Sequence, residues 1–190
     1  MGHAVLGASP APWGSAGHVV TEAADLAIEE LYVAHWDQLV RLSVLLVHDQ
    51  GQAEEVVQDA FVELHRRWSR LEDPDRAPAY LRQTVVNRSR SALRHRGVVR
   101  RHLARQQRVD VAPAADQPVL ADGQRRTVLA ALQQLPRRQR EVLALRYYLE
   151  LSEAEIAETL GVSRGAVKSH ASRGAAALRR LLADHDSEDV

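Results

Sequence analysis

The sequence predicts an all-α protein: two small helical domains joined by a flexible linker, the second ending in a helix-turn-helix. Apolar residues recur at helical spacing through most of the chain, and no stretch alternates as a half-buried strand would. A segment with two prolines, Pro113 and Pro118, interrupts this pattern near the middle. The segment 151–170 combines caps, a turn glycine and an apolar inner face, as two short helices around a tight turn require.

Four helices are predicted in the first half, after a disordered tail at residues 1–20. The first covers Glu22–His35, and the second covers Trp36–His48 and ends at Asp49-Gln-Gly51. The third has the clearest pattern, with apolar residues at i, i+3 and i+4 from Ala53 to Trp68. Its successor, from about Ala79 to His95, follows a loop at 71–78 in which two prolines oppose a helix. These helices form a predicted domain at 21–96.

The linker is predicted at 97–122 and the second domain at 123–182, followed by an acidic tail at 183–190. Helices are expected at Gln124–Gln134 and Arg137–Tyr148, with Pro136 at the start of the latter. The helix-turn-helix and its continuation to Leu182 complete the domain.

Short-range capping and turn residues predict the helix-turn-helix. Ser152 and Glu155 have the spacing of a capping box, Gly161 suits a sharp turn, and Ser163 can cap the next helix. Ala166 and Val167 should face inward. The outward residues are Arg164, Lys168, Ser169, His170 and, further along, Arg173. A basic, hydroxyl-bearing face is what a helix needs to enter a DNA major groove, whereas the alternative is an ordinary helical hairpin with a solvated face.

Charge is strongly segregated although the net charge is zero. Residues 1–75 hold 13 acidic and 4 basic residues, whereas residues 76–109 hold 10 arginines and no acid. Residues 123–182 hold 11 basic and 5 acidic residues, and the last 8 residues hold 4 acids. An acidic surface for one partner and basic surfaces for nucleic acid account for this distribution.

Composition argues against catalysis, cofactors and export. The chain has no cysteine, which excludes disulfides and thiolate metal sites and favours a reducing cytoplasm. It has no Gly-rich phosphate loop, and its nine histidines match no common ligand spacing, so we expect neither an enzyme, nor a cofactor, nor a metal site. No apolar run is long enough to span a membrane, and no secretory signal is recognisable.

Three segments together resemble the bacterial sigma-70 family, in particular the group IV, extracytoplasmic-function (ECF) sigma factors of RNA polymerase. They are Ala53-Glu-Glu-Val-Val-Gln-Asp-Ala-Phe61, Tyr80-Leu-Arg-Gln-Thr-Val-Val-Asn-Arg88, and Leu135-Pro-Arg-Arg-Gln-Arg-Glu-Val-Leu143 followed by the helix-turn-helix. The resemblance covers roughly residues 22–182, in the family's order and spacing. It implies a factor that binds core polymerase, recognises the −35 and −10 promoter elements and helps to melt the −10 region.

The resemblance also implies partners and site residues. Residues matching Glu55, Gln58 and Asp59 would contact the clamp of the largest polymerase subunit, and the second-largest subunit would contribute its flap. Promoter DNA would be bound both double-stranded and melted. The −10 contacts would come from Tyr80, Asn87, Arg88, Arg90 and Arg94, with the loop 70–79 capturing a flipped base. The −35 contacts would come from Ser163, Arg164, Lys168, Ser169, His170 and Arg173.

Some features depart from the family or leave alternatives open. The family commonly has tryptophan where Tyr80 stands and arginine where His170 stands, and Pro74 and Pro78 are unusual in the loop. The main alternative is a DNA-binding response regulator with a similar helix-turn-helix, but that class needs an α/β receiver domain and the first half predicts no strands. A protein-interaction adaptor would leave the arginines unused. The sequence leaves open whether an anti-sigma factor controls the protein.

Overall fold

The computed structural model describes the backbone of residues 15–106 and 123–188. Within these ranges every regular element is helical, which confirms the all-α prediction. The α-helices are α1 (Ser15–Val47), α2 (Gln50–Arg67), α3 (Ala77–Gln106), α4 (Gly123–Gln134), α5 (Arg137–Leu143), α6 (Glu153–Leu160) and α7 (Arg164–Glu188). Short 3-10 turns cover Trp68–Arg70 and Pro74–Arg76, and a π-helical turn at Ala144–Tyr148 continues α5. None of the described helices is long and apolar enough to cross a membrane.

The predicted boundary between the first two helices is wrong, because α1 runs unbroken past His35 and Trp36. Neither residue is a helix breaker or a cap, so nothing in the backbone chemistry ends the helix there. The helix also begins at Ser15, inside the predicted disordered tail, whose residues 1–14 lie outside the described part of the chain. The helix ends at Val47, and the next residue, His48, has a φ of 63° in the left-handed region.

The connections on either side of α2 follow local capping rules. The Asp49 carboxylate accepts a hydrogen bond from the Gln52 amide at 2.8 Å and so begins α2. Asp73 similarly accepts from the Asp75 amide at 3.0 Å and begins the short turn at Pro74. Pro78, which the sequence placed in a loop, lies in the first turn of α3, where a missing N–H has no consequence.

Helix α3 extends past Arg96 to Gln106, into the predicted linker. The arginines of this stretch are good helix formers, and the first proline after them is Pro113. The remaining linker residues, 107–122, lie outside the described part of the chain.

The first half packs α1, α2 and α3 around fully buried apolar side chains such as Leu42, Val57, Leu64 and Leu81. The second half has a smaller cluster, in which Leu132, Leu135 and Leu143 meet Leu178 and Leu181 of α7.

The two halves are not separate in this structure. One apolar cluster includes Leu39 and Val85 of the first half and Val142, Leu145 and Ile156 of the second. The sequence predicted that each domain would have a core of its own, and it did not predict this shared one. A shared core brings the helix-turn-helix and α5 against α1 and α3.

Candidate nucleic-acid and polymerase interfaces

The helix-turn-helix has the geometry that its caps predict. The Ser152 hydroxyl accepts from the Glu155 amide at 3.3 Å, and the Glu155 carboxylate accepts from the Ser152 amide at 2.9 Å. The Ser152 hydroxyl also donates to the Glu155 carboxylate at 2.7 Å, and this bond, together with that from the Ser152 amide, holds the pKa of Glu155 below its ordinary value. Gly161 ends α6 with φ 64°, and the Ser163 hydroxyl accepts from the Ala166 amide at 3.2 Å to begin α7. The turn that presents α7 is therefore set by short-range interactions.

The predicted −35 residues share the outer face of α7. Val167 and Ala171 are buried and anchor the helix. The side chains of Ser163, Arg164, Lys168, Ser169 and Arg173 are all exposed. His170 is half-buried, and its Nδ1 atom has no hydrogen-bond partner among the described residues. The structure thus brings five of the six predicted residues onto one open surface and turns the sixth partly inward.

The predicted polymerase-binding residues lie on the outer face of α2. Glu55, Gln58 and Asp59 are exposed, while Val56, Val57 and Ala60 on the opposite face are buried. Asp59 is not free, because its Oδ2 accepts from Nη1 of Arg88 at 2.7 Å. One predicted polymerase contact is therefore paired with one predicted −10 contact.

The predicted −10 residues on α3 differ in accessibility. Asn87 and Arg94 are exposed, and Nη2 of Arg94 donates to Ser91 at 2.9 Å. Asn87 accepts from Nη1 of Arg90 at 3.0 Å. Arg88 is 34 % exposed and Arg90 only 13 %. Two residues are open to a ligand, and two are engaged in ion pairs.

Glu63, which the sequence pattern did not indicate, connects two partly buried members of this set, Tyr80 and Arg88. Its Oε1 accepts from the Tyr80 hydroxyl at 3.1 Å, and its Oε2 accepts from Nη2 of Arg88 at 3.1 Å. Burial raises the pKa of Tyr80, and the neighbouring Glu63 carboxylate adds to that shift. Glu63 follows Asp59 by one helical turn, which places both carboxylates toward Arg88, but only the docking of α2 against α3 reveals the contact.

The loop 70–79 forms one wall of a cavity of about 710 Å³. Arg70, Leu71 and Tyr80 line it from the first half, and α6 closes it with Glu155 and Glu158. Arg76 and Glu158 form an ion pair at 2.5 Å across the gap. The predicted base pocket therefore coincides with a cavity whose opposite wall is the helix-turn-helix.

A buried ion pair also joins the two halves. The Arg90 guanidinium donates to both carboxylate oxygens of Glu141 at 2.8 and 2.9 Å, and Glu141 is only 2 % exposed. Arg138 adds a third contact to the same carboxylate at 3.1 Å. Two-point pairing of this kind is strong and strictly oriented.

A second buried contact lies between His48, at the end of α1, and Arg140 of α5. Their side chains meet at 2.5 Å. Burial, reinforced by the charges of Arg140 and Arg96, lowers the pKa of His48 to about 4. Among the described residues, no group of three or more His, Asp or Glu side chains is arranged to hold a metal ion.

Comparison with known proteins places both halves in one family. Residues 31–99 match the family model described as "Sigma-70 region 2", and residues 125–178 match "Sigma-70, region 4". The sigma-E factor of Streptomyces avermitilis is 32 % identical over 161 residues, covering 85 % of this chain and 88 % of that protein. The ECF sigma factor SigE of Mycolicibacterium smegmatis is 33 % identical over 186 residues, covering 95 % of this chain and 72 % of its own length. The chain belongs to the ECF RNA polymerase sigma factors.

Solved structures agree on the fold of this sigma factor. The sigma factor RpoE in complex with the anti-sigma factor NepR from Bartonella quintana superposes with a TM-score of 0.68 at 24 % identity, covering 81 % of this chain and 95 % of RpoE. CnrH in complex with the cytosolic domain of CnrY superposes with a TM-score of 0.64 at 26 % identity, covering 87 % of this chain and 96 % of CnrH.

Family membership decides between the two functions that the sequence suggested, a sigma factor and a DNA-binding response regulator. The region 2 model spans the acidic face of α2 and the arginines of α3, and the region 4 model spans the helix-turn-helix. A response regulator is not favoured, since the described first half is helical rather than α/β. This sigma factor directs promoter-specific transcription by RNA polymerase.

Proposed function

We propose that this sigma factor binds core polymerase through the outer face of α2, reads the −10 element with α3 and the preceding loop, and reads the −35 element with α7. The proposed division is 21–96 for core and −10 binding, 97–122 for the linker and 123–182 for −35 binding. The observation that carries the proposal is the exposed polar face of α7, anchored beneath by Val167 and Ala171.

For the −35 element, Arg164 and Lys168 are proposed to contact base edges from the first turns of α7. Ser163 lies at the N-terminus of the helix, where backbone amides attract phosphate. Arg173 lies further along, where the helix leaves the groove, and is assigned to phosphate. Ser169 and His170 complete the proposed face, and the half-buried His170 is its least accessible member.

For the −10 element, Asn87 and Arg94 are the residues that DNA can reach directly. An amide can hydrogen-bond a base edge, and a guanidinium can pair with phosphate. Tyr80 offers a ring at the edge of the cavity beside loop 70–79, where an unstacked base could be held. Stacking and edge contacts would offset the few kcal/mol that unstacking a base costs.

For core polymerase, Glu55, Gln58 and Asp59 form the proposed contact with the clamp, and the second domain is proposed to meet the flap. An exposed acidic face mainly accelerates association with a basic partner and makes it sensitive to salt. The factor itself is proposed to act in the cytoplasm, without an enzymatic activity of its own and without a membrane. An anti-sigma factor is a further proposed partner, on the precedent of RpoE bound to NepR.

Promoter binding in this scheme requires the two halves to separate. Arg90 cannot contact DNA while its Nη1 donates to Asn87 and its Nε and Nη2 donate to Glu141. Helix α6 would also have to leave the cavity beside Tyr80.

The decisive experiment is in vitro transcription from genomic DNA by core polymerase, with and without this protein, followed by mapping of the start sites. We expect a set of new starts that share sequence elements centred near −10 and −35. The matched control is the double variant Arg164→Ala/Lys168→Ala, which should bind core but lose these starts. New starts that lack a common −35 element, or that survive in the double variant, would contradict the assignment of α7.

A further inference from the structure

Glu63 lies between the face of α2 that is proposed to bind polymerase and the face of α3 that is proposed to bind the −10 element. It lies on α2, one turn after Asp59, and its carboxylate reaches α3. Each of its oxygens accepts one hydrogen bond at 3.1 Å, from the Tyr80 hydroxyl and from the Arg88 guanidinium. Both donors are proposed −10 contacts, whereas Glu63 itself has no proposed contact with DNA or polymerase.

The Tyr80 ring is held on two sides. Its hydroxyl is bound by Glu63, and the guanidinium carbon of Arg67 lies 5.9 Å from the ring centre. Nε of Arg67 lies 3.7 Å from the same Glu63 oxygen that Tyr80 binds. Glu63 therefore orders both the ring and the cation beside it, which keeps one ring orientation at the cavity.

The positive charge of Arg88 is neutralised by two carboxylates. Asp59 accepts from one terminal nitrogen at 2.7 Å and Glu63 accepts from the other at 3.1 Å, while Nε is buried and has no hydrogen-bond partner among the described residues. A phosphate that approaches Arg88 must displace at least one of these carboxylates. Arg88 therefore attracts a nucleic acid backbone less than a free arginine would.

We propose that Glu63 is a positioning residue for recognition of the melted −10 strand. It orients Tyr80 for base stacking and withholds Arg88 from phosphates until base contacts favour the exchange. This inference rests on the proposed −10 role of α3. Such an arrangement raises specificity by weakening attachment to the wrong sequence, because non-specific binding depends almost entirely on phosphate contacts.

The test measures binding of holoenzyme to two fluorescent single strands as a function of salt. One strand carries the −10 non-template sequence identified by start-site mapping, and the other carries the same bases in scrambled order. The key variant is Glu63→Gln, which can still accept from Tyr80 but no longer neutralises Arg88. The matched control is Glu54→Gln, on the same helix, whose carboxylate accepts a hydrogen bond from the Gln50 side-chain amide at 2.7 Å and does not contact Arg88.

For Glu63→Gln we expect affinity for the scrambled strand to rise about threefold to tenfold at low salt. The salt slope should steepen by about 0.7, the value for one additional phosphate contact on a single strand. The preference for the −10 strand over the scrambled strand should fall by a similar factor. Glu54→Gln should behave as wild type in all three respects.

Two further variants separate the two parts of the role. Glu63→Asp keeps a charge near Arg88 but shortens the reach to Tyr80, and Tyr80→Phe removes the hydroxyl alone. Both should lower the preference for the −10 strand while leaving the salt slope unchanged. A residue that merely supports the fold would lower affinity for both strands alike and would leave the slope unaltered.

The outcomes distinguish this inference from the function on which it rests. If Asn87→Ala lowers the preference for the −10 strand but Glu63→Gln changes neither preference nor slope, the positioning role is wrong and the −10 assignment stands. If Asn87→Ala and Tyr80→Ala both leave the preference at its wild-type value, the −10 assignment fails, and the role of Glu63 fails with it. Thermal melting of each variant checks that the fold is retained.

Discussion

At the scale of single residues, Asp59 has two competing partners. In this structure it pairs with Arg88, and in the proposed holoenzyme it faces the clamp. The side chain is 62 % exposed, so a change there removes charge from the surface without disturbing the core. This exposure makes Asp59 a suitable test of the polymerase contact.

Replacing Asp59 with arginine should weaken binding to core polymerase about tenfold or more at moderate salt, because it places like charges at the interface. The measurement is a binding titration at several salt concentrations, with circular dichroism to check helicity. Asp184→Arg makes the same charge change at an exposed site near the end of α7 and serves as the control. Equal affinity of Asp59→Arg and wild type for core would rule out the clamp contact.

Alanine substitutions at Arg164 and Arg173 should affect DNA binding in different ways. Arg164→Ala should lose on the order of 1–3 kcal/mol on the best promoter and relax the preference at one −35 base pair, as expected for a base contact. Arg173→Ala should weaken all duplexes similarly and reduce the salt slope by about one. Both are read from titrations against a library of −35 variants. A uniform loss for Arg164→Ala would reassign it to phosphate and pass base reading to Lys168, Ser169 or His170.

At the scale of elements, what could be predicted depended on the range of the interactions. The helix-turn-helix follows from Ser152, Glu155, Gly161 and Ser163, each of which acts within four residues. The first two predicted helices are in fact one continuous helix, α1. The sequence did not show this, because apolar spacing alone does not tell one long helix from two shorter ones. Glu63 was missed because its partners lie 17 and 25 positions away in the chain.

Gly161 should be the most sensitive position in the turn between α6 and α7. Its φ of 64° is a conformation that side chains with a Cβ rarely adopt, so Gly161→Ala should cost about 1 kcal/mol of stability. Gly165→Ala is the control. It lies in the first turn of α7 with no atom closer than 4.0 Å to an added Cβ, and alanine should be neutral or stabilising there. Thermal denaturation of both variants checks this, and equal melting temperatures would contradict it.

At the scale of the whole molecule, the sequence did not reveal that the halves share a core. Val142, Leu145 and Ile156 look like residues for a domain core of their own, and their periodicity cannot say which helix covers them. The same holds for Glu141, which reads as a surface carboxylate in an arginine-rich helix but is 2 % exposed. Its burial follows only from the docking of α5 against α3.

Acid should loosen the contact between α1 and α5 through His48. Its pKa of about 4 lies below the ordinary value of 6.5, so the folded state favours the neutral ring. The free energy of unfolding therefore has its full value above about pH 6.5, and it decreases as the pH falls toward 4, because the unfolded state takes up a proton that the folded state does not. Hydrogen exchange at the end of α1 should therefore rise between pH 7 and pH 5, after correction for intrinsic rates. His48→Gln should lose most of this dependence and the exposed His95→Gln should keep it; an unchanged pH profile in His48→Gln would contradict the assignment.

Glu141 should hold the two halves together. Replacing it with glutamine leaves Arg90 buried beside a neutral partner, and removing one member of a buried pair commonly costs about 3–5 kcal/mol. Because the halves can relieve that cost by separating, Glu141→Gln should increase the radius of gyration in X-ray scattering and the hydrogen exchange of α3 around Arg90. It should also tighten binding of the free protein to the −10 single strand, since Arg90 becomes available. Glu153→Gln, which breaks the half-exposed pair with Arg146 inside the second half, is the matched control. If Glu141→Gln lowers the melting temperature but leaves the radius and the strand affinity at wild-type values, the ion pair stabilises the fold without governing access to α3.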